Sequence, residues 1–387
     1  MNFSNFFFFF CLFILSHSAN ASDCTLSLES DVNLHEPFPG RGKLLQNQKI
    51  LFSRQENKDW VFVEKNGTIT PFAPPAGSTT AYTELSNHLI ALTSKDGHIH
   101  LLDQSLTHQS EFATSYPRFF WHMTQRKDGV IALLTNRTDD EDIYSSVIFI
   151  NPDGINKNEV NIGKSGIFSE PVVLPDDSVA LKSNNNSVFI VKTSGKYLNS
   201  PVLGSRGTWL LKSFSDGTLI SGGHYSQFDK LFLIDPNQGT INYEMNWENN
   251  IIKQSLSFLK VLSNDRLIIG FSILVKDSSG SIHFNERLEL YDRKLNKISE
   301  FSINDPTGAS IYESATELPD GSIIYPAGNH LFSFDQNLNF QAVLDLHAFV
   351  PNEPIIMKDG TIVLTGSTST NGVRESHLFY INRTCSN

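Results

Sequence analysis

Charge, cysteine and long apolar runs are all scarce in this chain of 387 residues. No apolar stretch reaches the roughly 20 residues that a membrane-crossing helix needs, which excludes an integral helical membrane protein. Basic residues are too few for a nucleic-acid surface: 30 Lys and Arg stand against 41 Asp and Glu, a net charge of −11, whereas phosphate backbones demand a basic face. Charged residues make up 18%, below the roughly 25% of ordinary globular chains. Three cysteines cannot complete a thiolate zinc set, and the 12 histidines are scattered with no His-Glu-x-x-His. Gly-x-Ser-x-Gly is missing as well, so nothing marks a nucleophile elbow. In place of these come Asn, Ser and 29 phenylalanines, a composition suited to a β-rich protein.

The amino terminus carries an export pattern. Phe6 to Leu15 is a ten-residue apolar run broken only by Cys11, followed by Ala19-Asn20-Ala21. A helix of that length spans about 15 Å, too short to anchor, so it reads as a signal segment, although the n-region has no Lys or Arg. Cleavage after Ala21 leaves a single domain over 22–387, destined for the periplasm or secretion. Asp23 before Cys24 is not the small residue a lipobox wants. Removal of Cys11 leaves Cys24 and Cys385, near the two ends of the mature chain, and in an oxidising compartment they are expected to pair.

A unit of about 45 residues repeats through the rest. Its first element is a tight turn followed by an apolar residue. Asp128-Gly129, Asp216-Gly217, Asp320-Gly321 and Asp359-Gly360 carry the turn outright, and Asn47-Gln48, Asn87, Asp176-Asp177 and Asn264-Asp265 are degenerate copies. Such residues favour the positive φ of hairpin turns. The apolar residues that follow are Ile50, Leu89, Ile131, Val179, Leu219, Leu267, Ile323 and Ile362. A second element, two apolar residues and then a polar one, ends a later strand at Val63, Leu102, Ile150, Val191, Ile234, Tyr291, Phe334 and Ile381. Short strands with frequent turns and no amphipathic helix between units imply an all-β fold. Eightfold repetition selects an eight-bladed β-propeller of four-stranded antiparallel blades, with seven blades as the alternative.

Ring closure follows from the ends. The last unit lacks sequence for an outermost strand, while Thr25 to Glu29 alternates like a strand with no blade of its own. Placed beside the last strand, it closes the ring, and Cys24 and Cys385 then stand where other blades have a hairpin turn.

The distance between the two elements varies from 11 to 24 residues among units, all of it in the loop between second and third strands. Those loops share one rim with the starts of the inner strands, and binding residues commonly sit on loops held by a rigid scaffold. The candidate rim residues are Arg118, Glu170, Arg206, Trp209, Tyr225, Phe228, Glu313, Glu353 and Arg374. Glu170, Glu313 and Glu353 could ring the channel mouth opposite Arg118 and Arg206. The run Asp139 to Asp142 lacks the spaced geometry of a calcium loop and reads as a solvated acidic loop. His98 and His100 alternate on one strand and read as an exposed strand face. The sequons at Asn66, Asn136, Asn185 and Asn382 would mark exposed turns in a host that glycosylates. The four tryptophans, Trp60, Trp121, Trp209 and Trp247, fall in different units and suit the gaps between blades.

The segment Leu233-Ile234-Asp235-Pro236-Asn237-Gln238-Gly239-Thr240-Ile241 resembles the repeat of the quinoprotein-like (PQQ-like) eight-bladed propellers, and Asp103, Asp292 and Asp335 keep its aspartate. The repeat's tryptophan is not in register in any copy, and the adjacent-cysteine pair of many quinone-dependent alcohol dehydrogenases is missing. The resemblance implies the architecture and carries over no functional residue. It leaves PQQ and calcium as cofactors without supporting residues, and no catalytic set or metal site is expected. The expectation is an exported, monomeric binding or scaffold module for a protein or glycan. The alternatives are an enzyme acting on a sugar or ester at the channel mouth, or a quinone-dependent dehydrogenase.

Overall fold

The computed structural model describes residues 24–386 except 35–38, 55–59, 74–77, 95–96, 114–118, 140–141, 165, 168, 185, 204–209, 223–229, 247–252, 277–281, 304–314, 351 and 371–372. The expected signal segment therefore lies outside the described residues. Among those described, no helix is long and apolar enough to cross a membrane.

Eight four-stranded antiparallel sheets follow one another as blades. Blade 1 comprises Pro39–Leu44, Ile50–Arg54, Trp60–Val63 and Ile69–Phe72, and blade 2 comprises Ser78–Glu84, Ile90–Ser94, His98–Leu102 and His108–Ala113. Blade 3 runs Phe119–Gln125, Ile131–Asp139, Asp142–Ile150 and Asn156–Lys164, and blade 4 Val172–Val173, Val179–Lys182, Val188–Val191 and Tyr197–Asn199. Blade 5 is Leu210–Ser213, Leu219–Gly222, Lys230–Ile234 and Ile241–Asn246, and blade 6 is Lys253–Val261, Leu267–Lys276, Ile282–Tyr291 and Lys297–Ile303. Blade 7 holds Thr316–Glu317, Ile323–Ala327, His330–Phe334 and Phe340–Asp345. Blade 8 takes Ile355–Ile356, Ile362–Thr370 and Val373–Cys385 from the end of the chain and Cys24–Asn33 from its start.

The ring has no single core. Eight buried apolar clusters each join two neighbouring blades; one, for example, packs Ile50, Phe52 and Val61 of blade 1 on Met357, Val363 and Tyr380 of blade 8. Every middle strand is thus covered on both faces. That is why Ile131–Leu134 and Val188–Val191 are unbroken apolar runs and do not alternate. Outermost strands such as His108–Ala113 are mostly exposed. In blade 6 the second strand approaches the inner strand so closely that a Cβ on Gly270 would fall 2.1 Å from the Phe258 ring.

Register bears out the repeat. Ile50 pairs with Val63, Ile131 with Ile150, Val179 with Val191, Leu219 with Ile234, Leu267 with Tyr291, Ile323 with Phe334 and Ile362 with Ile381. Blade 2 differs by one residue: Leu102 pairs with Ile90, because Leu89 still belongs to the turn closed by the Leu85 N–H to Leu89 carbonyl bond. All eight first turns share one chemistry. Residues Gln48, His88, Gly129, Asp177, Gly217, Asp265, Gly321 and Gly360 have positive φ. The Asn or Asp just before each accepts the N–H two residues on, as Asn47 does from Lys49 and Asp359 from Thr361.

Closure runs as the sequence implied. Cys24–Asn33 lies antiparallel to Val373–Cys385 with Cys24 opposite Cys385. The two are joined by a disulfide with Cα atoms 4.0 Å apart. Of the tryptophans, Trp60 is buried between blades 1 and 2; the side chain of Trp121, and Trp209 and Trp247 entirely, lie outside the described residues. Two expectations need correction. Asn136 marks no exposed turn: it is 6% exposed, and its amide donates to the Ile167 carbonyl. Nor does His100 lie on an exposed face, being buried at 6%.

Candidate functional site

The two rims of the ring are built differently. On one, the short turns are tied blade to blade. The N–H of Gln46 is held by Glu84, that of Ser86 by Gln125, that of Lys127 by Asp177, that of Ser215 by Asp265, that of Ser263 by Glu317 and that of Lys358 by Gln48. Each clamp takes a side chain from the next blade to satisfy a turn donor, and six of the eight blade junctions are tied in this way among the described residues. Sequence reasoning missed it, although the polar residue just before the first residue of each turn was a usable signal in Glu84, Gln125 and Glu317.

On the other rim, second strands of 9, 10 and 9 residues in blades 3, 6 and 8 contrast with 4 or 5 in the remaining blades. At about 3.4 Å per residue, four extra residues carry a hairpin roughly 14 Å further. Their pairing continues to Asp139 with Asp142, Lys276 with Ile282, and Thr370 with Val373. The outer strands stop earlier, their last register pairs being Tyr144 with Lys164 and Glu286 with Ile303. The outer edges of Asp142–Ile143 and 282–285 therefore have no strand beside them among the described residues.

Arg118, Arg206, Trp209, Tyr225, Phe228 and Glu313 lie outside the described residues, and of Arg374 only the backbone is described, opposite Ser369 on the blade 8 hairpin. Glu170 and Glu353 are both exposed at the starts of their blades. Among the described residues, the cations that face them are inner-strand lysines. Lys260 of blade 6 binds Glu353 at 2.5 Å. Lys43 of blade 1 donates to Thr83 at 3.2 Å. Burial pushes the pKa of Lys43 down, and the charges of Glu84 and Glu170 partly offset that. Lys43, Lys212 and Lys260 occupy one repeat position, two residues before the apolar turn residue, a signal that blade alignment could have found.

Two polar constellations went unread in the sequence. Lys182, at 2% exposure, donates to Ser221 Oγ at 2.6 Å and to the Gly222 carbonyl at 3.3 Å, and burial pushes its pKa well down. Ser221 gives its own proton to the Leu210 carbonyl and is itself fully buried. The pair therefore braces blades 4 and 5 and does not form an activated hydroxyl. On the side of blade 8 that faces blade 7, Asp31 Oδ1 lies 2.7 Å from His377 Nδ1, and His377 Nε2 lies 3.1 Å from Thr368 Oγ1. The carboxylate can only accept, so it fixes the Nδ1–H tautomer and leaves Nε2 to receive the Thr368 proton. The ring of His377 stacks on Phe379, with planes 7° apart. Three different strands supply this chain, which is why no linear motif announced it.

No protein-family model matches the sequence, and no curated protein matches it either. Solved structures do match in fold. A streptogramin B lyase is 14% identical with a TM-score of 0.55, covering 94% of this chain and 100% of its own. The Dos1 propeller is 10% identical with a TM-score of 0.61, covering 92% of this chain and 95% of its own. The dihydro-heme d1 dehydrogenase NirN, solved in complex with DHE, is 10% identical with a TM-score of 0.57, covering 92% and 79%. At such identities the likeness is one of fold alone, and it spans a lyase and a dehydrogenase as well as a protein described only as a propeller. The resemblance to quinoprotein-like repeats holds at that same level, as an eight-bladed architecture.

Proposed function

We propose that this chain is a binding propeller that grips an extended segment of a partner polypeptide between the hairpins projecting from blades 3, 6 and 8. The observation that carries the reading is the contrast between rims: one tied by blade-to-blade clamps, the other raised into hairpins whose outer edges at 142–143 and 282–285 have no strand beside them among the described residues. Such an edge offers main-chain donors and acceptors to an incoming strand, with neighbouring side chains supplying selectivity. Tyr225 and Phe228, which fall in the sequence between the second and third strands of blade 5, and Arg374 of the blade 8 hairpin are the side chains proposed to line it. Export, with a partner in the periplasm or outside the cell, is part of the same proposal. It is supported by the disulfide that closes the ring.

The test is crosslinking of the full chain in its own host, with peptide mapping of the linked residues. Links to blades 3, 6 and 8 near the hairpin tips, lost when Tyr225, Phe228 and Arg374 are changed to alanine, support the reading. Links confined to the clamped rim, or capture of glycans without protein, overturn it.

A second reading rests on the Thr368–His377–Asp31 chain, whose geometry suits proton removal from a hydroxyl that attacks an ester. Its measure is turnover of 4-nitrophenyl acetate by the intact protein. Activity abolished by Thr368→Ala supports a hydrolase. Absence of turnover, or turnover unchanged in that variant, removes it.

A further inference from the structure

We infer that blade 2 carries a zinc site on its outer edge, formed by His100, His108 and Glu111. His100 lies on the third strand directly opposite Glu111 on the outermost one. Alternation alone would place His108, three residues before Glu111, on the other face. The register shift between Leu101 and Leu102 inserts one residue and returns His108 to the face of His100 and Glu111. Glu111 Oε2 then lies 3.2 Å from His100 Nδ1 and 3.8 Å from His108 Nε2. All three ligand atoms fall within 4.8 Å of one another.

These separations suit a tetrahedral ion. With metal–ligand bonds of about 2.0–2.1 Å, neighbouring ligand atoms stand about 3.3–3.4 Å apart, so the ion enters with side-chain adjustments only. The protonation pattern also prepares the site. Ser94 donates its hydroxyl proton to the His98 carbonyl at 3.1 Å and so presents lone pairs to His100 Nε2 at 3.2 Å. That contact assigns the proton to His100 Nε2 and leaves Nδ1, 3.2 Å from Glu111 Oε2, as the ligand nitrogen. Two imidazoles and one carboxylate are donors suited to Zn²⁺, and Ser94 supplies the outer contact that orients a metal-bound histidine. His108 and Glu111 are exposed, with side-chain values of 47% and 54%. The fourth position therefore opens to water, where a partner's own histidine or carboxylate could complete the set.

The test is titration of tag-free full chain, stripped with chelator, with Zn²⁺ alone by calorimetry, and with Co²⁺ by visible absorption. The expected result is one tight equivalent and the intense d–d bands of tetrahedral cobalt. His108→Gln and Glu111→Gln sit on an exposed strand, so both should keep the fold and its melting temperature. Each should weaken Zn²⁺ binding by at least about tenfold, and Ser94→Ala by about 10- to 100-fold as a positioning residue. No stoichiometric uptake, or uptake equal to the parent's in both exposed variants, overturns the site and leaves His100 and Glu111 as an ion pair around a proton.

Discussion

Changing Cys24 and Cys385 to serine tests how the ring is held shut. The bond spans a sequence separation of 361 residues, almost the whole described chain. In the chain-entropy model, opening a loop of that length forfeits about 6 kcal/mol, a ceiling, since measured losses for native disulfides run about 2–5 kcal/mol. Native contacts remain, because the strands carrying the cysteines still share nine register pairs from Cys24–Cys385 to Asn33–His377. The cost therefore falls on the unfolded side. For a chain of this size the unfolding entropy is about 0.75 kcal/mol per degree, so a loss of 2–6 kcal/mol lowers the melting temperature by about 3–8 °C. Calorimetry of the double serine variant should show this shift with an unchanged near-ultraviolet circular dichroism spectrum, and hydrogen exchange should loosen first in blade 8. A melting temperature within about 1 °C of the parent, or two titratable thiols in the exported parent, would refute the reasoning.

Three further perturbations probe the same physics elsewhere. Lys65 of blade 1 binds Asp359 of blade 8 at 2.8 Å, and with Thr361 it holds the Asp359 carboxyl down at about 2. A carboxyl depressed in the fold stabilises above its unfolded value and loses that contribution as pH falls. Asp359→Asn should therefore cost up to about 1 kcal/mol near neutrality in urea melts, a difference that closes towards pH 2. Lys182 is buried with its pKa pushed well below 10.5, so the unfolded state binds the extra proton and stability rises with pH between the folded value and 10.5. Lys182→Met should flatten that rise in denaturant curves taken between pH 7 and 10; a slope identical to the parent's would contradict the burial argument. At Gly270 a Cβ meets Phe258 at 2.1 Å, so Gly270→Ala should destabilise by about 1–3 kcal/mol in the same melts, through displacement of that ring.

How much of this was legible beforehand depended on the range of the interactions. Each turn is decided within five residues: an Asn or Asp side chain caps its own backbone, and Gly, Asn or Asp tolerates positive φ. Strand pairing followed, because the apolar anchors on either side of a hairpin share one core. The one slip, Leu89 for Ile90, came where two adjacent apolar residues left the register open. Asn136 read as a glycosylation sequon, and only the fold put its amide on the Ile167 carbonyl of the next blade.

The sequence by itself determined the all-β class, the eight blades, the closure of the ring by its two ends and the pairing of its cysteines. These are set by local turn chemistry and apolar repetition, which recur unit after unit and so survive the loss of any one copy. The tertiary structure alone decided which polar groups meet. Lys260 reaches past blade 7 to Glu353, Asp31 finds His377 across the chain termini, and one extra residue in a strand turns His108 towards His100. Those meetings depend on the rotation from blade to blade and on single-residue register shifts, and neither leaves a periodic trace in the sequence.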